Sequence, residues 1–200
     1  MYTLYEMAAS GNCYKCRLAM TQLHIPFERV EVNLLGGEQY GPAFKAMNLN
    51  SKVPVLKIDG QRALPESNAI LCFVAEGRAL IPSSPWAKAQ VMQWLFFEQY
   101  SHEPYIATVR FWKAFSGAPE RFVADIARCM PRGYKALDVM EQHLSRNVFF
   151  ADNIYTIADI ALYAYTHCAA DGGYDLQAYP HIRRWLHRVE QTPDFVPLKA

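Results

Sequence analysis

Every strand-like segment of this chain lies before residue 66, and beyond a proline- and serine-containing stretch, LIPSSPW at 80–86, the pattern is helical throughout. This switch excludes a single sheet running the length of the chain and predicts two unlike domains. In the first, Tyr2 to Glu6 reads as a strand, and residues 12 to about 24 place Cys13, Cys16, Ala19, Met20 and Leu23 near helical spacing. Phe27, Val30 and Val32 mark a second strand, and Pro42 to Met47 a short helix. Val53 to Ile58 is a third strand, Asp59-Gly60 a hairpin turn, and Ala63-Leu64 the start of a return strand. Ser67 caps a helix to about Glu76, with Gly77 as its C-cap. The order is βαβ, then ββα.

Past the linker, helices are expected from Ala87 to about Phe115, interrupted by Pro104, and from Pro119 to about Leu144, with Pro131 inside or breaking it. Two more run from Thr156 to about Ala170 and from about Pro180 to Gln191. The predicted boundaries are an α/β domain at 1–78, a linker at 79–86 and an all-helical domain at 87–200.

Composition narrows the function classes. Of 200 residues, 52% are hydrophobic and 20% charged, enough apolar side chain for a packed core. Twenty basic residues against 19 acidic give a net charge of +1, without the basic excess that nucleic-acid binding needs. No uncharged run approaches the roughly 18 residues of a spanning helix, so no membrane partner is expected. The first twenty residues lack a basic segment followed by an apolar one, so no secretory signal is expected. Five cysteines are too few for a disulfide scaffold and fit free thiols in a reducing cytoplasm. The six histidines, at 24, 102, 143, 167, 181 and 187, do not pair with cysteine or carboxylate at zinc spacing, so no metal is expected.

Three places can carry chemistry. Residues 9–17, ASGNCYKCR, open the first helix, where unpaired N–H groups and the positive dipole end stabilise an anion or a thiolate. Ser10 supplies a hydroxyl there, Asn12 an amide, and Cys13 and Cys16 two thiols; plain capping and a buried helix face use the same residues equally well. Lys52-Val53-Pro54 lies at the start of the third strand, where a cis bond would turn the Val53 backbone toward an open site, although most such bonds are trans. Glu66-Ser67 sets a carboxylate and a hydroxyl at a helix start, suited to gripping an amino-acid group or simply to capping.

Taken together these pieces resemble the cytosolic glutathione transferases. NLNSKVPVL at 48–56 and PESNAI at 65–70 look like that superfamily's NPxGKVPxL and ESxAI motifs, with Leu49 and Ser51 in place of the usual Pro and Gly. YTIADIAL at 155–162 looks like its buried capping-box helix, with Thr156 and Asp159 as the reciprocal pair. SGNCYKCRL at 10–18 is similar to a serine-type branch near the zeta and theta classes. The resemblance implies a thioredoxin-like first domain, an all-α second domain and glutathione as co-substrate. It implies a homodimer acting on a small-molecule electrophile.

Carried onto this chain, the resemblance makes Ser10 the hydroxyl that holds the glutathione sulfur, with Asn12 and Cys13 as alternative catalytic groups. Val53 pairs with the tripeptide main chain, Pro54 is the cis-proline, Glu66 and Ser67 hold the γ-glutamyl end, and Lys52 the glycine end. Tyr14, Tyr105, Arg110, Phe111 and Trp112 are candidates for the electrophile pocket, with Arg110 for an anionic group. Lowering a thiol pKa from about 8.5 by about two units raises the thiolate fraction at pH 7 from roughly 3% to about 75%. It also costs roughly eightfold in nucleophilicity, so positioning must supply most of the rate.

Two other functions remain open. Cys13-Tyr-Lys-Cys16 is a C-x-x-C near a βαβ pattern, as in thiol–disulfide oxidoreductases. Register opposes this, because the nucleophilic-cysteine position of glutaredoxin-like proteins falls on Ser10. The third reading is a module that binds glutathione without turnover.

Overall fold

The computed structural model describes residues 1–198. It divides into two units, one of Met1–Ile81 together with the segment from Pro193 onward, the other of Pro82–Thr192. The division falls inside the 79–86 segment. The segment from Pro193, allotted by the sequence reading to the helical domain, packs instead with the first unit.

The first unit has the order β1 (Tyr2–Glu6), α1 (Gly11–Gln22), β2 (Phe27–Glu31), a 3-10 turn (Glu38–Tyr40), α2 (Pro42–Lys45), β3 (Val55–Ile58), β4 (Arg62–Pro65) and α3 (Ser67–Ala75). The sheet order is β2-β1-β3-β4, with β1 parallel to β2 and the other pairs antiparallel. This is the thioredoxin-like arrangement. Asp59 and Gly60 both take positive φ, as a tight hairpin between right-twisted strands requires. Register sets the two faces: Tyr5 stands opposite Val55 on one, Leu4 opposite Leu56 on the other. Val32, Phe44 and Val55 bury the first face, and Leu4 and Leu56 are fully buried on the second.

Arg17 braces this unit from within. It pairs with buried Glu6 of β1, donates to the Ala8 carbonyl at 2.9 Å, and reaches the Leu198 carbonyl at 3.2 Å. Arg29 of β2 pairs with the same Glu6 carboxylate. Tyr14 donates to the Val196 carbonyl at 2.7 Å and Gln22 to that of Pro193 at 3.1 Å. The C-terminal segment is therefore strapped along α1, a feature with little local sequence signal because these three bonds are made by its backbone carbonyls.

The second unit contains α4 (Pro85–Phe97), α5 (Glu103–Ala114), α6 (Val123–Leu144), α7 (Ile157–Thr166) and α8 (Pro180–Glu190). The helical stretch expected at 87–115 with an interruption at Pro104 is α4 and α5 joined by a π-helical turn at Glu98–His102. Pro104 is the second residue of α5, directly after that π turn, and its missing N–H leaves a gap in an otherwise continuous helical hydrogen-bond series. Pro131 lies within α6, which continues past it. Gly133 of α6 is glycine for a steric reason: an added Cβ would lie 2.3 Å from the Tyr174 hydroxyl. The helix expected to reach about Ala170 ends at Thr166, followed by a 3-10 turn at Ala169–Gly172. Among the described residues no helix is long and apolar enough to cross a membrane.

Thr156 and Asp159 form the capping box of α7. The Asp159 carboxylate, fully buried, accepts from Thr156 N–H at 2.9 Å, Trp185 Nε1–H at 3.0 Å and Phe150 N–H at 3.2 Å. Asp159→Ala strands these three donors, each at a cost of about 1–3 kcal/mol, so urea unfolding should show a severe loss of stability. Burial also pushes the Asp159 carboxyl up to about 6, against hydrogen bonds that pull it down. A raised carboxyl pKa makes protonation favour the folded state, a contribution complete below about pH 4 and lost as pH rises through about 6. Relative to Asp159→Asn, the parent should therefore lose stability between pH 4 and 7.

Candidate functional site

The site residues of the first unit gather at one end of its sheet. Ser10 follows the C-terminal end of β1, Glu66 and Ser67 follow the C-terminal end of β4, and Val53-Pro54 precedes β3. Because Val55 pairs with Pro65, extending that antiparallel register by two residues sets Val53 at the level of Ser67.

Ser10 is the N-cap of α1, and its Oγ accepts from Cys13 N–H at 3.4 Å. The capping role and the catalytic candidacy thus fall on the same side chain. Capping occupies a lone pair, and the hydroxyl keeps a rotatable proton. The Val53–Pro54 bond is cis, as the family resemblance implies and against the base-rate expectation. The Val53 main chain takes no hydrogen bond among the described residues. Ahead of it, Asn48 builds the turn: its Nδ2 donates to Lys52 O at 2.8 Å and its Oδ1 accepts from Asn50 N–H at 3.0 Å. Ser51 takes a φ of 54°, the left-handed conformation that suits the glycine of the family pattern. Lys52 is exposed.

Glu66 is exposed and holds a φ of 72°, a strained value for a residue with a side chain. Ser67 begins α3 and is buried. Its Oγ donates to Asn12 Oδ1 at 3.3 Å and accepts from the Lys15 ammonium at 3.4 Å. The first turns of α1 and α3 are thereby joined, so two positive dipole ends converge above a fully buried ammonium. Two helix starts with unpaired N–H groups and a cation between them form an electropositive end of the unit, a setting that suits an anion.

Neither cysteine of the C-x-x-C is poised for chemistry. Cys13 and Cys16 are fully buried free thiols. Hydrogen bonds from Ser10 and the Met7 N–H favour a Cys13 thiolate, but burial outweighs them and pushes the thiol up to about 12. Cys16 is raised well above the ordinary thiol range by burial and by Cys13 beside it. Against its proposed place in an electrophile pocket, Tyr14 is turned inward with no exposure, held by the Val196 carbonyl.

In the second unit, Arg110 is likewise spent elsewhere than on a ligand. It is buried, its Nε donates to Asp171 at 3.0 Å, and its guanidinium lies over Phe115. Tyr105 lies beneath the Arg132 guanidinium, 5.5 Å from ring centre. Trp112 stacks on Phe122 at 5.2 Å, and Phe111 is exposed. Tyr105 and Trp112 share one face of α5, at i and i+7. A separate cavity of about 350 Å³ in this unit is lined by Trp94, Val139, Gln142, His143, Arg146 and Asn147, none of them a predicted site residue.

The sequence reading missed Lys15. Lys15 lies one turn along α1 from Asn12, fully buried, with its ammonium 3.4 Å from the Ser67 hydroxyl. Among the described residues no three His, Cys, Asp or Glu side chains cluster as metal ligands.

A thioredoxin-like unit whose α1 and α3 helix starts meet, followed by a helical unit with a buried capping box, defines a class of protein. The family model of the glutathione S-transferase N-terminal domain matches residues 4–79, and that of the C-terminal domain matches residues 99–193. The chain belongs to the glutathione S-transferase family. A crystal structure of glutathione S-transferase from Pseudomonas fluorescens is 50% identical with a TM-score of 0.96, covering 98% of each chain. Glutathione S-transferase 3 of Zea mays is 30% identical over 96% of this chain and 90% of its own. The disulfide-bond oxidoreductase YfcG of Escherichia coli is 26% identical over 96% of this chain and 92% of its own.

The thiol environments give a direct test. Iodoacetamide at pH 8 should label half-buried Cys72 before Cys13 or Cys16 in the native protein, and peptide mass spectrometry should recover both of the latter unmodified until urea is added.

Proposed function

We propose that this chain is a glutathione transferase of the serine type that conjugates the glutathione thiolate to hydrophobic or aromatic electrophiles. The observation that carries the reading is the meeting of the α1 and α3 N-termini through the Ser67–Asn12 hydrogen bond. Glutathione is an anion with one ammonium, and each of its ends finds a counterpart here. The α3 N-terminus suits the γ-glutamyl carboxylate, exposed Glu66 the ammonium, and the open Val53 main chain the central peptide unit. Lys52 suits the glycine carboxylate. The thiol then lies at the α1 N-terminus, where the Ser10 hydroxyl donates to the thiolate as it forms.

Tyr105, Phe111 and Trp112 supply apolar surface for an electrophile, and Tyr14 and Arg110 drop out of that list. A homodimer in the cytoplasm is the working state, on the strength of the family.

A second reading has one observation in its favour: two relatives in Escherichia coli, YfcG and YghU, are named disulfide-bond oxidoreductases. In this chain such a reaction would run through the bound glutathione thiolate, because the Cys13 thiol is buried and pushed up to about 12. Conjugation of chlorodinitrobenzene assayed beside reduction of hydroxyethyl disulfide ranks the two chemistries. Conjugation should dominate, and Cys13→Ser should leave both rates within a few-fold of the parent. A reductase activity that vanishes in Cys13→Ser would reverse the ranking.

Glu66→Ala should weaken glutathione binding by roughly 10- to 150-fold in calorimetry, the loss of one charge-assisted contact. Ser10→Ala should lower the conjugation rate near neutral pH while changing that affinity little. A variant with the parent's kcat across pH 6–8 would reduce Ser10 to a cap.

A further inference from the structure

Resting on the transferase reading above, we propose that Arg132 and the Tyr105 hydroxyl together hold an anionic group of the electrophile, so that this chain favours aromatic carboxylates. Arg132 thereby takes the part expected of Arg110, whose guanidinium is committed to Asp171. The direction of one hydrogen bond makes the argument. A guanidinium only donates, so at the 3.4 Å contact the Tyr105 oxygen accepts from Arg132 Nη1. The phenol keeps its own proton, which goes to no acceptor among the described residues. The cation also lies over the Tyr105 ring, 5.5 Å from its centre. Arg132 is exposed and joins no ion pair among the described residues. The carboxylates of its own helix are taken elsewhere: Asp125 by Arg128 at 2.6 Å, Asp138 by the Tyr179 hydroxyl at 2.8 Å, and Glu141 by the His181 and Ile182 N–H groups at 3.0 and 2.9 Å. A cation and a phenolic O–H thus stand side by side, both able to donate to one incoming anion.

The pair is held in place from behind. Tyr174, 1% exposed, donates its hydroxyl to the Tyr105 carbonyl at 3.3 Å. Burial raises the Tyr174 pKa, which keeps that hydroxyl a donor. Its approach requires Gly133, the residue after Arg132, because a Cβ there would lie 2.3 Å from the Tyr174 oxygen. The turn of α6 that presents Arg132 therefore also admits the side chain that fixes Tyr105. Farther along the Tyr105 face of α5, Trp112 stacks on Phe122 at 5.2 Å. An aromatic wall with two donors at one end suits a flat ring that carries a carboxylate. The carboxylate goes to the donors, and the carbon opposite it on the ring is left for the thiolate.

The test compares 4-chloro-3,5-dinitrobenzoate with 4-chloro-3,5-dinitrobenzamide, a neutral ring of nearly the same shape. With either, the glutathione thiolate forms the C–S bond at the chlorine-bearing carbon. Chloride leaves with the C–Cl electron pair, and the thiol proton goes to solvent. The quantity read is kcat/KM for the carboxylate over that for the amide, each divided by its uncatalysed rate constant with glutathione. The parent ratio should be about ten at low salt, the value of one exposed charge-assisted contact, and should shrink in 0.5 M NaCl. Arg132→Gln should lower the ratio about tenfold, chiefly through KM for the carboxylate, and Arg132→Lys should restore part of it. Tyr105→Phe should lower it several-fold. A parent ratio near one would overturn the proposal. So would Arg132→Gln slowing both rings equally, the mark of a structural role, or raising KM for glutathione with both. Arg132 is exposed, so the ratio can be read even if Tyr105→Phe fails to fold. A parent that conjugates neither ring overturns the transferase reading itself, and this proposal with it.

Discussion

A helix start leaves its first N–H groups without intrahelical partners, and in the first unit two such starts are tied together through Ser67, whose hydroxyl donates to Asn12. Much of what surrounds it makes sense as a consequence. Two positive dipole ends and a buried ammonium repel one another, so the sheet that places both helices and the hydrogen bonds at Ser67 together offset that repulsion. The β3–β4 hairpin delivers α3 to that point and the β1–α1 connection delivers Asn12. The strain at Glu66, with its φ of 72°, is what the chain accepts to turn from β4 into α3 in so short a distance.

The Glu6–Arg17 pair shows how the other side of α1 is secured. Taking both charges out of water is costly, and breaking such a pair costs about 3–5 kcal/mol. The return lies in what else Arg17 holds. Its guanidinium anchors the Ala8 carbonyl, two residues before Ser10, and the Leu198 carbonyl of the C-terminal strap. Glu31 accepts the Ala8 N–H from the β2 side at 3.0 Å. Both faces of that peptide segment are thus fixed by charges, and Ser10 inherits a defined position.

The sequence was most readable where periodicity and turn chemistry agree. The β1, α1 and β3 segments and the Asp59-Gly60 hairpin were visible from local pattern, because each depends on residues within a few positions of one another, while the Thr156–Asp159 capping box came with the family resemblance. The joints were less visible. The turn between α4 and α5 is π-helical, and no residue type announces a π turn, only Pro104 that follows it. Tyr14 and Arg110 were assigned to a pocket because aromatic and cationic side chains suit one. Their actual partners, the Val196 carbonyl and Asp171, lie far along the chain, where spacing carries no information. Lys15 was overlooked for the same reason, since its meaning depends on Ser67 in another helix.

The C-x-x-C motif shows how burial decides between chemistries that a sequence leaves equal. A cysteine at a helix N-terminus is commonly an acidic, reactive thiol, because the dipole favours the thiolate. Cys13 has that place and hydrogen bonds from Ser10 and Met7 besides. The desolvation of a fully buried sulfur exceeds all of these, and the thiol goes up instead of down. The favourable field at the start of α1 is not lost by this. It acts on whatever anion is brought to the surface of the same helix end, where desolvation is partial and the Ser10 hydroxyl can turn to meet it. A site that borrows its thiol from a ligand keeps the electrostatic benefit of the helix terminus without the burial that silences its own cysteines.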